Sequence, residues 1–395
     1  MAARYFDLGA LLNEAETIAG SSDWGDDEWH DGFEAFIAAL NAEADLTEQG
    51  VARAHSHVLK LLVGRLRLYA DRVRYPEIAK ELIGAPLFIA GHGRSGTSYL
   101  QSLLASGPGN LSPRHWQIWT LSPPVNHPAT DNAPQRAQGE HYMAFEGWQE
   151  DDVREKHDYT SEGVAEDTLI VEYAFSGFSF PFFWNVPSYG RWMASHGDPG
   201  AGYRIHRKVL QSLQFGQERR QWVLKNPSHL ALLPHLFGEY PDARMILCHR
   251  DPVRSMASIV GLLYAHRRQF GNAFQEFGRD FVLGSIEGAV ASTRAMMDWR
   301  ADPARNARFA DVLYLDLERD PLGEVARIYE RHGLDFTDEA RETMADYIAA
   351  NRKGTFGTHR YDIRDLGVTV EEVRERFAFY YDAYGIPFEE PGERS

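Results

Sequence analysis

The stretch PLFIAGHGRSGTSYLQSLLAS, Pro86 to Ser106, limits the fold more than any other part of the chain. An apolar strand runs through a glycine-rich turn directly into an amphipathic helix. Gly91 and Gly96 have the spacing of a G-x-x-x-x-G-K-[ST] phosphate loop. Here Thr97 and Ser98 follow Gly96 with no lysine between them, and a cation, Arg94, lies inside the loop.

From Pro86 onward, the short runs PLFIAG, QWVLK, ARMILCHR and DVLYLDL alternate with helix and turn signals. That alternation predicts a parallel sheet covered on both faces. The expected class is α/β: a P-loop-like three-layer fold with a central parallel sheet, plus an α-helical N-terminal extension. The extension is drawn at residues 1–84, because Val51, Val58, Leu59, Leu62, Leu66, Tyr69 and Val73 recur at helical intervals before a break at Tyr75-Pro76. Residues 85–395 then form the α/β domain. Within it, about residues 108–215 are rich in proline, tryptophan and phenylalanine, notably YAFSGFSFPFFWNVPSYGRWM. This insertion reads either as an ordinary aromatic subcore or as the wall or lid of an apolar acceptor pocket. Asp251-Pro252 supplies a helix N-cap with proline at N1, and VEEVRERFAFYYDAYG reads as a closing amphipathic helix.

A net charge of -16 argues against nucleic acid or anionic membrane as a general partner. No apolar run approaches the roughly 18 residues of a membrane span. The opening MAARYFDLGALLNEAE turns acidic at once, unlike a signal peptide. The single cysteine, Cys248, allows no internal disulfide, and the expected location is the cytoplasm. One cysteine also argues against a structural zinc. His55 and His57 in AHSH fall on different faces of the helix and are read as surface residues. GRSGTS is not a G-x-S-x-G nucleophile elbow, since glycine stands two places before Arg94 rather than before Ser95.

An acidic chain that binds a polyanion must use a few local cations and aimed backbone amides. The loop offers both. Gly91, Gly93 and Gly96 let backbone N–H groups converge on an oxyanion, and the helix start adds its positive end. Ser95, Thr97 and Ser98 add hydroxyls, while Arg94 can fork onto two oxygens. Nucleoside triphosphatases pair their loop lysine with an acid that helps hold Mg²⁺. The strand ends here, VLKN and LCHRD, are rich in cations instead, so the expectation is an anion held without a metal.

These motifs resemble the sulfotransferases that use 3′-phosphoadenosine 5′-phosphosulfate (PAPS), in their bacterial branch with a helical N-terminal extension. The similarity covers about residues 76–360. GRSGTSYL looks like the family's 5′-phosphosulfate loop, with Gly93, Arg94, Ser95, Gly96, Thr97 and Ser98 as its binding residues. CHRDPVRSMAS looks like the 3′-phosphate motif, which implies that Arg250 and Ser258 grip that phosphate. VLYLDLERDP is similar to the tyrosine-containing strand, placing Tyr314 near the adenine. NRKGTFG resembles the late loop that closes on the 3′-phosphate through Arg352, Lys353 and Gly354. The resemblance implies PAPS as co-substrate, 3′-phosphoadenosine 5′-phosphate as product, and a small, apolar alcohol, phenol or amine as acceptor.

Sulfuryl transfer asks mainly for in-line positioning and support of the leaving phosphate, for which Arg94 and Lys225 are candidates. The acceptor attacks sulfur more readily if a positioned base takes its proton. WVLKNPSHL offers His229 four residues after Lys225, a wider gap than lysine–histidine pairs of the family usually have. RHWQIWTLSPP carries Gln117 where related bacterial chains carry glutamate, which leaves His115, Glu166, Asp167 or no base at all as alternatives. An imidazole, with an ordinary pKa of about 6.5, suits the task. Two rival readings are a small-molecule kinase on the same loop and a nucleotide-binding protein whose catalytic site has decayed. The N-terminal helices could cap the pocket, form a homodimer contact or extend the core.

Overall fold

The computed structural model describes residues 5–150, 159–271, 278–351 and 362–389. Three helices come first: α1 (Leu8–Ala19), α2 (His30–Glu43) and α3 (Glu48–Arg74). Then follow β1 (Leu87–Gly91), α4 (Thr97–Ala105) and the two-residue β2 (Asn110–Leu111). The middle of the chain holds α5 (His115–Trp119), α6 (Ala133–Phe145) and α7 (Pro199–Gln214), with the nine-residue helix Pro187–Ser195 and shorter helical turns between the last two. Next come β3 (Gln221–Lys225), α8 (His229–Glu239), β4 (Arg244–His249), α9 (Pro252–Arg268) and α10 (Arg279–Arg300). After β5 (Phe309–Leu313) lie α11 (Tyr314–Arg319), α12 (Pro321–His332) and α13 (Asp338–Ala350). The final helical stretch is α14 (Val370–Arg376) and α15 (Ala378–Tyr384). Among the described residues no helix is long and apolar enough to cross a membrane.

The chain divides into two compact units. One comprises Met1–Ile83, Pro113–Arg219 and Ala265–Phe274; the other comprises Gly84–Ser112, Arg220–Tyr264 and Gln275–Ser395.

The second unit is built on a five-stranded sheet of order β2-β3-β1-β4-β5, every pairing parallel. All five residues of β1 are buried, as a strand covered on both faces must be. On one face, Leu87 and Ile89 pack with Leu103 and Leu104 of α4, Ile246 of β4 and Val312 of β5. Phe88 points the other way, its ring edge-on to His229 and tilted against Tyr240. The four strands expected from the sequence are all present. DVLYLDL, however, is strand only to Leu313, and Tyr314 already begins a helix. The closing helix is likewise two pieces, because Phe377 leaves helical geometry at φ -101° and ψ 10°.

In the first unit, α3 presents Val58, Leu62 and Leu66 to the core, as its periodicity predicts, but Val73, counted on the same face, is 73% exposed near the helix end. Its buried face also carries His57, Lys60 and Arg65, which corrects one expectation. His55 stays partly exposed beside Glu14, but His57 is only 1% exposed. Its Nδ1 lies 3.0 Å from Glu146 Oε2 and its Nε2 3.0 Å from Glu172 Oε2. Lys60 Nζ reaches the same Glu146 oxygen at 2.6 Å and lies 4.5 Å from the centre of the Trp119 ring. The periodicity shows which face is inward. It cannot show that two glutamates about ninety and more positions away wait there to compensate a histidine and a lysine.

Candidate anion-binding site

Register builds the site in the sheet-bearing unit. Gly91 of β1 pairs with Cys248 of β4, and His249 pairs with Leu313 of β5. The residues just past those ends, the loop His92–Gly96, Arg250 and Tyr314, therefore emerge at one edge of the sheet. This is the carboxyl edge where open α/β sheets receive ligands. Arg250 Nη1 donates to the Arg94 carbonyl at 2.9 Å, and its guanidinium lies 3.7 Å from the centre of the Tyr314 ring. On the other side of β1, Lys225 is registered beside Ile89 at the end of β3 and is buried.

The loop is shaped by close approaches. A Cβ on Gly91 would stand 2.5 Å from the Cys248 carbonyl oxygen and 2.7 Å from Ser95 Oγ. Gly96 has φ +86°, and a Cβ there would meet Tyr314 Cδ2 at 3.1 Å. Gly93 is tightly covered by Ile259 of α9, the residue after Ser258. Ser95 donates its hydroxyl proton to the His92 carbonyl at 2.6 Å, and its N–H goes to the same oxygen at 3.2 Å. Its hydroxyl thus closes the turn, leaving Thr97 and Ser98 as the hydroxyls at the head of α4. No acidic residue stands in the first turn of that helix, so its positive end is not neutralised locally. Arg94 is exposed and holds φ +70°, a left-handed conformation costly for a residue with a Cβ.

Buried partners hold the edge from beneath. His92 Nε2 lies 2.9 Å from the Thr293 hydroxyl of α10. Burial, assisted by nearby His249, pulls its pKa down to about 4, so it is neutral at physiological pH. His249 meets the Tyr380 hydroxyl at 2.8 Å and Asp311 Oδ1 at 2.8 Å. Burial lowers the His249 pKa although Asp311 pulls the other way. Burial alone would raise the Asp311 carboxyl, but Arg300 and His249 together hold it far below its usual range. Burial also pushes the Cys248 thiol up to about 12, so it is not a nucleophile. Asp251 caps α9 through the Val253 N–H at 2.8 Å.

The remaining residues singled out from the sequence are spread more widely. Ser258 is half-buried two turns into α9. His229 opens α8, fully buried, with its ring 4.9 Å from that of Phe88. His115 belongs to the other compact unit, among Trp119 and Tyr159, with Nδ1 2.9 Å from the Thr160 carbonyl. In that unit Asp167 is wholly buried 3.3 Å from His206, and Glu166 is half-buried. Gln117 accepts from the Arg114 N–H at 3.0 Å, capping the short α5. Arg352, Lys353 and Gly354 lie outside the described residues. Among the described residues no three His, Cys, Asp or Glu side chains gather as metal ligands would.

Sequence reasoning passed over His92 and Glu389. His92 sits inside the quoted loop, and its place two residues before Arg94 was the available signal. Glu389 closes on Arg250 through two hydrogen bonds from Nε, at 2.9 and 3.2 Å, and one from Nη2 at 2.8 Å. Nothing local to either residue announces that pairing.

Residues 86–338 match the family described as "Sulfotransferase family". The omega-hydroxy-beta-dihydromenaquinone-9 sulfotransferases of Mycobacterium bovis and Mycobacterium tuberculosis are each 25% identical over 325 residues, covering 76% of this chain and 75% of theirs. The crystal structure of sulfotransferase STF1 from M. tuberculosis superposes with a TM-score of 0.80 at 28% identity, over 95% of this chain and 99% of that one. Sulfotransferase STF9 from Mycobacterium avium gives 0.84 at 24% identity, over 100% and 99%.

Proposed function

This chain belongs to the sulfotransferase family, and on that premise we propose that it moves the sulfuryl group of PAPS onto the hydroxyl of an apolar acceptor. One observation carries the assignment of the donor site: Arg250 reaches the Arg94 carbonyl and lies over the Tyr314 ring, at the edge where the loop meets the head of α4. In this reading Arg250 and Ser258 take the 3′-phosphate, and Tyr314 and the Arg250 plane lie beside the adenosine. Gly93 to Ser98 take the phosphosulfate, with the Ser95 hydroxyl holding the turn rather than the ligand. Arg352, Lys353 and Gly354 keep the role that the family resemblance gives them. A single cysteine, buried in β4, suits a cytoplasmic setting.

Transfer then needs four coordinated events. The acceptor oxygen forms its bond to sulfur, and the bond from sulfur to the 5′-phosphate oxygen breaks. The acceptor proton passes to a base, and 3′-phosphoadenosine 5′-phosphate leaves with the charge. Arg94 and Lys225 offset charge growing on the leaving phosphate. His229 is assigned as base because it follows Lys225 on the turn that leaves β3, where the Asn226 N–H is tied to the Ile89 carbonyl at 3.2 Å. An apolar alcohol is favoured as acceptor because the mycobacterial relatives carry the name of a hydroxylated menaquinone; the aromatic 175–184 stretch adds no support, since Phe175, Phe180 and Trp184 are buried against Phe36 as a subcore.

Two variants test the reading. Arg250→Ala should weaken calorimetric binding of adenosine 3′,5′-bisphosphate by about 10- to 100-fold, the scale of a lost charge-assisted pair. His229→Ala should cut turnover by about 100-fold or more while leaving that affinity within twofold. Unchanged binding in the first variant sinks the donor site. Near-normal turnover in the second makes His229 a packing residue and removes it as the base.

A further inference from the structure

The tail after α15 places a carboxylate on the guanidinium to which the donor's 3′-phosphate is assigned. Glu389 meets Arg250 through Nε and Nη2 together, the fork geometry with which arginine also receives phosphate. Both side chains are mostly buried, at 9% and 12% exposure, so solvent screens the pair less than it would a surface pair. Asp251, next to Arg250, accepts the Glu389 N–H at 2.8 Å and also the Tyr381 hydroxyl. Two consecutive residues of the proposed phosphate motif are thus both bound to one acidic tail residue.

The attachment is graded along the tail. Ile386 is seated in the apolar cluster that includes Val253, Val373 and Phe377, and its N–H is bonded to the Tyr381 carbonyl at 3.2 Å. Phe388 meets the Arg374 guanidinium, 4.2 Å from its ring centre, and the edge of Tyr381. It remains 60% exposed. Little apolar burial therefore holds Phe388 down, and the contact at Glu389 is mainly electrostatic. A stronger anion at the same fork can release Glu389 while Ile386 keeps the tail anchored.

We infer that Glu389 is an intramolecular competitor for the 3′-phosphate, docking its carboxylate on Arg250 until a 3′-phosphorylated nucleotide displaces it. The inference rests on the reading that Arg250 holds that phosphate. It has a selective consequence: a nucleotide without the 3′-phosphate has no group to replace the carboxylate and gains nothing from its removal. For a phosphorylated nucleotide, the apparent affinity is reduced by the fraction of molecules with Arg250 open.

Calorimetric titration of the full chain with adenosine 3′,5′-bisphosphate and with adenosine 5′-monophosphate tests this. Glu389→Gln keeps the side-chain shape, and Glu389→Ala removes the group. Both are expected to bind the bisphosphate about tenfold more tightly, the gain if roughly nine molecules in ten are closed. Binding of the monophosphate should stay within twofold. Unchanged or weaker bisphosphate binding in both variants overturns the inference, as does an equal gain for the two nucleotides. Arg250→Ala separates the failures. If it loses the bisphosphate while the Glu389 variants behave as wild type, the donor site stands and the competitor falls. If Arg250→Ala binds normally, the donor site falls and takes the competitor with it.

Discussion

The sheet edge and the α3 cluster each gather several charges, yet they treat them oppositely. Around His57 opposite charges meet in the interior: Glu146 meets His57 and Lys60, and Glu172 meets the other imidazole nitrogen through Oε2, its Oε1 staying buried without a hydrogen bond. All four side chains are buried. At the sheet edge, Arg94 is exposed and Arg250 is answered by a carboxylate from a tail with a half-open attachment. The first arrangement suits folding, since its charges compensate one another within the interior. The second suits binding, since its compensation is removable. Charge density alone does not mark a site; what matters is whether the compensating group can be exchanged.

The largest expected effect breaks the closed cluster. His57→Ala leaves two buried glutamates short of a partner and should lower unfolding stability by about 3–5 kcal/mol. Denaturant melts measure it, with Arg250→Ala as the contrast, expected to change stability far less than it changes binding. A loss under 1 kcal/mol for His57→Ala would remove the distinction between the two regions.

Next in size is a split in pH dependence. The glutamates raise the His57 pKa against the opposing effects of burial and Lys60, while Lys60 and His57 hold Glu146 down to about 2. The stability from His57 is fully present below its unfolded value of about 6.5 and is lost as pH rises through the folded value. That from Glu146 is lost only as pH falls toward 2. His92 has the reverse sign: with a folded pKa of about 4, its contribution is complete above about 6.5 and disappears as pH falls from there to 4. The His92 effect is on the order of 3 kcal/mol. Hydrogen exchange at pH 5 and pH 8.5 should show the sheet-bearing unit loosening first in acid and the helical unit first in base.

The smallest effect sharpens the view of the loop. Ser95→Ala removes the 2.6 Å bond to the His92 carbonyl and should cost about 1 kcal/mol, with a modest rise in the Kd for the bisphosphate. A large loss of affinity with no loss of stability would instead return the hydroxyl to the ligand. Thermal melts paired with titration decide between these.

What could be read in the chain beforehand follows the range of the forces involved. β1, the loop and α4 are written in consecutive residues, and four strands could be found from their apolar runs. The two-residue β2 could not, because its pairing with Gln221 and Trp222 comes from far along the chain. The apolar run DVLYLDL reads as strand through Tyr314, but that residue starts a helix just where pairing with β4 ends. In the site, Arg94 and Arg250 were visible as cations at turn and strand end. Glu389 was not, since it lies 139 positions from the arginine it meets. The grouping of Met1–Ile83 with Pro113–Arg219 was equally hidden, for it rests on pairs such as His57 with Glu172.

Arg94 has a further consequence. Its left-handed backbone would be more comfortable for glycine, by about 1 kcal/mol or more. A sequence drifting toward greater robustness would therefore be drawn to discard the very side chain that the loop presents to solvent. Engineering for heat tolerance alone would favour Arg94→Gly, yielding a hardier protein with a disarmed loop, so the two properties must be selected together at this position.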